Sequence, residues 1–286
     1  MRGWQTLSAT LMLCGLTGVV PVAAQQDGSR TKRDEPKTLD AVLEQLQANL
    51  NRYDTNIPSF FCDEHAVSSE IPGLSREDTD NYSIFRLKRV VNPDHKTSRL
   101  EESRQLKTVN GHAPTGDEIG GPDLLQGAFA GGFAMVSREQ ESCMNYKLER
   151  RKENVPGAPY VIGFASVLTP QNIEGCLLQE DGKGRVFVDP ATMQITRLEL
   201  TMPHHTINAG DAYHGTVKGE WRVTVWYAPV ELDKQTFWLP ATIDSRTISG
   251  GGTYHEREWT FRADYSNFHK LEVHSRLLPA GTGDAP

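Results

Sequence analysis

The chain has 286 residues, with 30 Lys+Arg against 37 Asp+Glu for a formal charge of −7, and is 37 % hydrophobic and 8 % aromatic. That is enough apolar material for a sizeable core and too little for a multi-span membrane protein. The mild acidity argues against a nucleic-acid binder, which concentrates Lys and Arg to neutralise phosphates.

Arg2 is the only charge before Asp27, residues 7–20 are largely apolar, and Pro21-Val22-Ala23-Ala24 follows. A positive start, an apolar stretch and small residues at −3 and −1 predict a secretory signal peptide over residues 1–24, cleaved after Ala24. Export to a periplasm or cell envelope is the expectation. The apolar stretch is short for a membrane span, and a retained anchor is the alternative. Cys14 is a poor lipid-attachment site, because Leu13 stands where a small residue is needed. Cleavage leaves Cys62, Cys143 and Cys176, an odd count in an oxidising compartment. Cys143 and Cys176 flank a predicted hairpin, so they are the expected disulfide, with Cys62 free. No spacing matches a zinc ribbon or a CxxC redox motif.

Residues 25–37 are polar, charged and without periodicity, which predicts a disordered leader. Thr38 then reads as an N-cap. Leu39, Val42, Leu43, Leu46, Leu50 and Tyr53 recur at helical spacing, one apolar stripe that must pack on something larger. Asn56-Ile57-Pro58 ends that helix. Strand patterns follow at residues 59–69, 82–91, 98–109, 142–151, 160–167, 185–189, 193–202, 217–228, 236–247, 254–265 and 268–277. Leu198, Leu200 and Met202 alternate with Arg197, Glu199 and Thr201. Asp189-Pro190-Ala191-Thr192 predicts a type I turn, with Pro at the second position. Gly182-Lys183-Gly184 and Gly250-Gly251-Gly252 are further turn signals. Between the third and fourth strands, Gly120-Gly121-Pro122 opens a glycine-interrupted helical stretch that runs to about Val136.

Strands joined by short turns pair antiparallel, and about eleven of them in one flat open sheet leave long exposed edges. The expected fold is therefore mainly β (α+β): a strongly curved antiparallel sheet or unclosed β-barrel with helices on its concave side. Residues 38–278 read as a single domain, and residues 279–286 as a loose tail.

The layout resembles the LolA-like superfamily, periplasmic proteins with an unclosed β-barrel wrapped around helices, among them lipoprotein carriers and lipid-binding sensors. The resemblance is carried by the opening helix from Leu39 through Leu50-Asn51-Arg52-Tyr53 into strand 59–69. It is also carried by the hairpin Gly184-Arg185-Val186-Phe187-Val188-Asp189-Pro190-Ala191-Thr192 followed by Arg197-Leu198-Glu199, and by Phe237-Trp238-Leu239-Pro240. It implies an unclosed barrel and an apolar ligand.

No phosphate loop, Gly-x-Ser-x-Gly elbow or His-Glu-x-x-His motif occurs. His204-His205 with Asp211 and His214 is the most metal-like cluster, but Pro203, Asn208, Gly210 and Gly215 mark a loop of solvated histidines. Cys62-Asp63-Glu64-His65 invites a nucleophile–base reading, yet on a strand Cys62 and His65 point to opposite faces. No catalytic residue, metal site or cofactor is assigned.

The aromatic residues carry more. Trp221, Trp226, Trp238 and Trp259 all fall in the last strands, and the bland reading is that they are core. Trp226 opposes Trp221 and Val225, however, and Trp238 opposes Phe237 and Leu239, so apolar groups occur on both faces. Trp221, Trp226, Phe237, Trp238, Leu239, Trp259 and Phe261 are accordingly the expected lining of a cavity suited to an acyl chain. The expected function is an exported envelope protein that binds a lipid, a lipidated protein or another apolar ligand, at most peripheral to the membrane. The alternatives are an envelope scaffold that docks a protein partner, and a hydrolase built from scattered residues.

Overall fold

The computed structural model describes residues 38–72, 77–91, 98–115, 129, 132–149, 155, 157–208, 216–249 and 257–272. The chain divides into Met1–Pro36 and Lys37–Pro286, and every described residue belongs to the second unit. The signal segment, the leader before residue 38, the glycine run at 250–252 and the tail lie outside the described residues.

Helix α1 spans Leu39–Asn56. Thr38 caps it, its hydroxyl accepting from Ala41 N at 3.3 Å. The N–H of Ile57 closes the last turn on Tyr53 O at 2.9 Å. Pro58 then disfavours a helical conformation at Ile57, which sits at φ −58°, ψ 120°. The apolar stripe does what its spacing predicts: Val42, Leu43, Leu46 and Tyr53 are buried. Each such side chain contributes roughly 1.5–3 kcal/mol.

Ten strands follow: β1 (Phe60–Pro72), β2 (Glu77–Val91), β3 (Ser98–Val109), β4 (Met144–Leu148), β5 (Tyr160–Ser166), β6 (Lys183–Val188), β7 (Ile195–Asn208), β8 (Thr216–Leu232), β9 (Gln235–Ser249) and β10 (Arg257–Lys270). They form one antiparallel sheet in the order β3-β2-β1-β10-β9-β8-β7-β6-β5-β4. The first and last strands in the chain, β1 and β10, pair with each other in the middle of the sheet, while β3 and β4 remain as edges, so the barrel is unclosed.

The count is ten rather than eleven among the described residues because the last two predicted segments are one strand. Asn267 takes φ +54° there, and the pairing with β1 shifts register between Phe61 and Asp63. That irregularity breaks the alternation in the sequence without ending the strand. The β8–β9 hairpin turns on Asp233 and Lys234, at φ +53° and +63°, as a type I′ turn requires.

Two further expectations change. Gly184 is not a turn residue but lies inside β6, between Phe164 and Leu200. A Cβ there would stand 2.0 Å from Glu199 O and 2.5 Å from Phe164 Cζ, so close approach, not a turn, requires glycine. The helical stretch before Val136 is described only at Phe129 and from Gly132, where it forms two 3-10 turns, Gly132–Val136 and Arg138–Gln140.

The inner face of the sheet carries the core. One rung runs unbroken from Ala66 through Ala263, Ile243, Val225, Leu198 and Val186 to Ile162. All seven are buried. Over this face Phe129 packs among Phe60, Phe85 and Tyr265, with ring centroids 5.9, 4.3 and 4.9 Å away. Tyr53 of α1 meets Phe133 at 5.2 Å and Phe237 of β9 at 6.5 Å. Among the described residues, α1, Phe129 and a 3-10 segment pack over this part of the inner face.

Candidate functional site

A cleft opens where α1 crosses the start of β9. Leu46, Leu50 and Tyr53 of α1, Phe133 and Val136 of the 3-10 turn, Ile195 of β7 and Phe237 and Trp238 of β9 wall it. Asn49, Arg52, Gln194, Gln235 and Thr236 form the polar part of its lining. The cavity holds about 70 Å³. A water's share of liquid volume is about 30 Å³, so two or three methylene-sized groups fit without movement. Two larger hollows, of about 560 and 740 Å³, lie mostly on the outward face of the sheet, among charged side chains such as Arg246 and Arg185. Those arginines already pair with Glu258 and Glu149, as expected of a solvated surface.

Polar side chains tie α1 down beside the cleft. Asn49 Nδ2 donates to Met193 O at 2.5 Å, and Gln47 Oε1 accepts from Arg138 N at 2.8 Å. At the helix end Arg89 of β2 donates to the carbonyls of Asp54 and Ile57. Met193 sits in the left-handed region at φ +55°, unusual for a non-glycine residue. The predicted turn at Asp189 explains how it gets there. The Asp189 carboxylate accepts from Ala191 N, Thr192 N and Thr192 Oγ1 at 3.0, 2.7 and 2.9 Å. Tyr53 donates its hydroxyl to Phe129 O at 2.7 Å, and burial, with the Glu102 charge behind it, pushes its phenol well above the ordinary tyrosine range. Tyr227, packed on Phe133 at 4.8 Å, is also pushed up by burial. Its hydroxyl has no hydrogen-bond partner among the described residues.

The seven aromatic and aliphatic residues expected to line one cavity are distributed instead. Phe237 and Trp238 belong to the cleft. Leu239 is fully buried in the core. Trp259 and Phe261 are buried on the inner face further along β10, and Trp221 is half-buried beside them on β8. Trp226 lies half-buried on the outward face, cross-strand from Arg197, whose guanidinium stands 3.7 Å over the Phe187 ring. A sheet with alternating faces cannot turn both Trp221 and Trp226 into one cavity.

Cys143 and Cys176 are joined by a disulfide, with Cα atoms 5.6 Å apart. Cys62 is a buried free thiol whose pKa is pushed well up, by burial first and the Glu64 charge second, so it is a poor nucleophile. His65 is on the opposite face, stacked on Tyr82 at 4.3 Å and 2.9 Å from Asp80. His204 and His205 are strand residues of β7 rather than loop residues. His205 Nδ1 is 2.8 Å from Glu180 and its ring is 4.6 Å from Trp221. Asp211 and His214 lie outside the described residues, among which no group of three metal-ligating side chains occurs.

One polar cluster went unseen in the sequence. Glu64, only 1 % exposed, accepts from Arg104 Nε at 2.9 Å on both oxygens, from Ser83 Oγ at 2.6 Å and from Tyr265 Oη at 2.8 Å. Burial opposes the Arg104 charge, but Glu64 more than offsets it and the guanidinium pKa lies above its ordinary value. Burial, then the Glu64 charge, raises the Tyr265 phenol well above its usual range. The four residues come from four strands, so no linear motif records them.

No protein-family model matches the chain, and no curated protein matches it in sequence. Among solved structures, it is similar to a LolA superfamily protein from Nitrosomonas europaea (TM-score 0.34, 10 % identity, 81 % of this chain and 94 % of that one). It is similar to a DUF1329 family protein from Desulfovibrio piger (0.39, 13 %, 84 % and 96 %). A domain assigned to outer membrane lipoprotein sorting in Vibrio parahaemolyticus also aligns (0.35, 12 %, 79 % and 90 %). At these scores the likeness is one of general layout, and the unclosed-barrel description stands on strand order and the buried inner face.

Proposed function

We propose that the chain is an exported envelope protein that binds, rather than transforms, an apolar chain: the acyl tail of a lipid or lipidated protein. The cleft between α1 and β9 carries this reading, being apolar on its walls, polar at its margin and closed on one side by a helix. Side-chain hydrogen bonds, not a backbone ladder, hold α1 there. The cavity admits only the end of a tail, so a longer chain binds by displacing α1 outward. The energies are matched. Burying twelve methylenes contributes roughly 10 kcal/mol, the same order as the four buried side chains of α1. Among the described residues no helix is long and apolar enough to cross a membrane.

A fluorescent undecanoyl probe tests this. It is expected to bind the chain, and Leu50→Trp, which fills the cleft, should weaken binding about tenfold or more. A probe that does not bind, or binds the variant equally well, overturns the reading. Recovery of one stoichiometric envelope protein by crosslinking, with no lipid bound, would replace it with the scaffold reading.

A further inference from the structure

The cleft beside α1 has a rim as well as walls, and the rim has a sign. Asn49, Arg52, Gln194, Gln235 and Thr236 are its polar residues: one cation, four neutral groups and no carboxylate. Arg52, Gln235 and Thr236 are exposed, so the rim meets solvent and a polar group seated there needs no room inside the cavity. On the helix, Arg52 stands three residues from Asn49 and flanks the stripe of Leu46, Leu50 and Tyr53 that walls the cleft. An arginine that both lines an apolar cleft and stays exposed lays its methylene stem along the wall and keeps its guanidinium in water.

Arg52 is also the exception among the arginines. Every other arginine whose side chain is described is held by a carboxylate, a side-chain amide or a backbone carbonyl. Arg52 has neither an ion pair nor a hydrogen bond among the described residues. Its own helix supplies no counter-charge: the residues three and four away are Ala48, Asn49, Thr55 and Asn56. Asp54 lies about 200° around the helix from it. On the β8–β9 hairpin that forms the opposite rim, Glu231 accepts from Thr236 and Asp233 is paired with Lys270, while Lys234 adds a cation in the turn. A planar guanidinium grips a carboxylate or a phosphate through two parallel N–H bonds.

We propose that the amphiphile bound in this cleft has an anionic head, a carboxylate or a phosphate, which Arg52 seats at the rim while the tail enters between α1 and β9. The inference rests on the acyl-chain reading for the tail and names the chemistry of the other end. Gln194 and Gln235 offer amide N–H donors on the same rim, which suit either oxyanion.

Calorimetry on the full chain with dodecanoate, dodecyl phosphate and dodecyltrimethylammonium, each below micelle formation, tests it, with inorganic phosphate as a head without a tail. The three amphiphiles share a tail and differ in the head. The formal charge of −7 favours the cation over the surface at large, so a preference for anions has to come from a local site. At least one anionic amphiphile is expected to bind about tenfold tighter than the cation, and whichever anion binds tighter identifies the head as carboxylate or phosphate. Arg52→Gln is expected to weaken the anions about three- to fivefold, and Arg52→Glu to reverse the order. Both variants replace an exposed side chain without a partner, so their effects are read on an intact fold. Equal binding of all three amphiphiles, tighter binding of the cation, or an anion preference that survives Arg52→Gln overturns the head-group inference and leaves the tail reading standing. Inorganic phosphate that binds as tightly as dodecyl phosphate, and loses its binding in Arg52→Gln, keeps the anion seat and removes the tail reading. Binding of none overturns both.

Discussion

Two polar side chains on the inner face of β1 are treated oppositely. Glu64 receives hydrogen bonds from three different strands, whereas Ser68, two steps of the alternation further along, receives none from the described residues. Both are almost completely buried. A group satisfied from all sides belongs to the scaffold, because removing any partner strands a charge. A group left unpaired contributes no hydrogen bond to the scaffold and carries its desolvation cost uncompensated. Buried polarity by itself thus does not tell what a side chain contributes to the fold; its partners do.

The satisfied end of the comparison predicts the largest effects. Arg104→Ala leaves the Glu64 carboxylate buried without its cation and should cost about 3–5 kcal/mol in denaturant unfolding. Replacing Glu64 and Arg104 together by leucine and methionine should recover most of that loss. If the single and double variants were equally destabilised, the ion pair would not be what holds β3 against β1. Tyr265→Phe removes one of three donor groups and should cost about 1–3 kcal/mol. It should also change the alkaline limb of stability. A raised phenol pKa means that the folded state holds its proton more tightly, so this stability is complete below the unfolded value near 10 and is lost as pH climbs beyond it. The phenylalanine variant should lose less stability between neutral pH and pH 11 than the parent does.

These partners also mark where the sequence stops being readable. Helix α1 and most strands follow from periods of 3.6 and 2, which neighbouring residues set, and the turn at Asp189 follows from Asp-Pro chemistry. The Glu64 cluster joins positions 64, 83, 104 and 265, whose meeting depends on the β1–β10 closure rather than on any local pattern. The cleft depends on where α1 lands, and an amphipathic stripe states that it must land without stating where. The seven expected lining residues show the same limit. Alternation places Trp221 and Trp226 on opposite faces, but only the register shows that Trp221 and Trp259 share one rung while Phe237 and Trp238 stand near α1. Gly184 and Asn267 misled for a related reason: a glycine under a ring reads as a turn, and an irregularity inside a strand reads as the break between two strands.

A smaller effect is expected at Asp189, which is half-buried and fully engaged by its own turn. The backbone N–H of Thr192 is the main reason that its carboxyl titrates below the ordinary value. A depressed pKa gives stability that is present above the unfolded value near 3.9 and lost as pH falls through the folded one. Asp189→Ala should cost about 1 kcal/mol at neutral pH, from lost turn bonds that hold Met193 in place. Asp189→Asn can still accept from the same N–H groups, so it should cost less at neutral pH and flatten the acid limb. Equal losses for the two variants would mean that the charge, not the turn, carries the effect.

Ser68→Ala is predicted to have the smallest effect on stability, and its sign is the informative part. Alanine deletes one oxygen from a position that is already packed, so no cavity of consequence forms. Removing an unpaired buried hydroxyl relieves part of its desolvation penalty, and the variant should match the parent or exceed it by up to about 1 kcal/mol. A loss of 1 kcal/mol or more would show that the hydroxyl has a partner in solution, a bound water or a neighbouring residue, and would place Ser68 with Glu64 as scaffold.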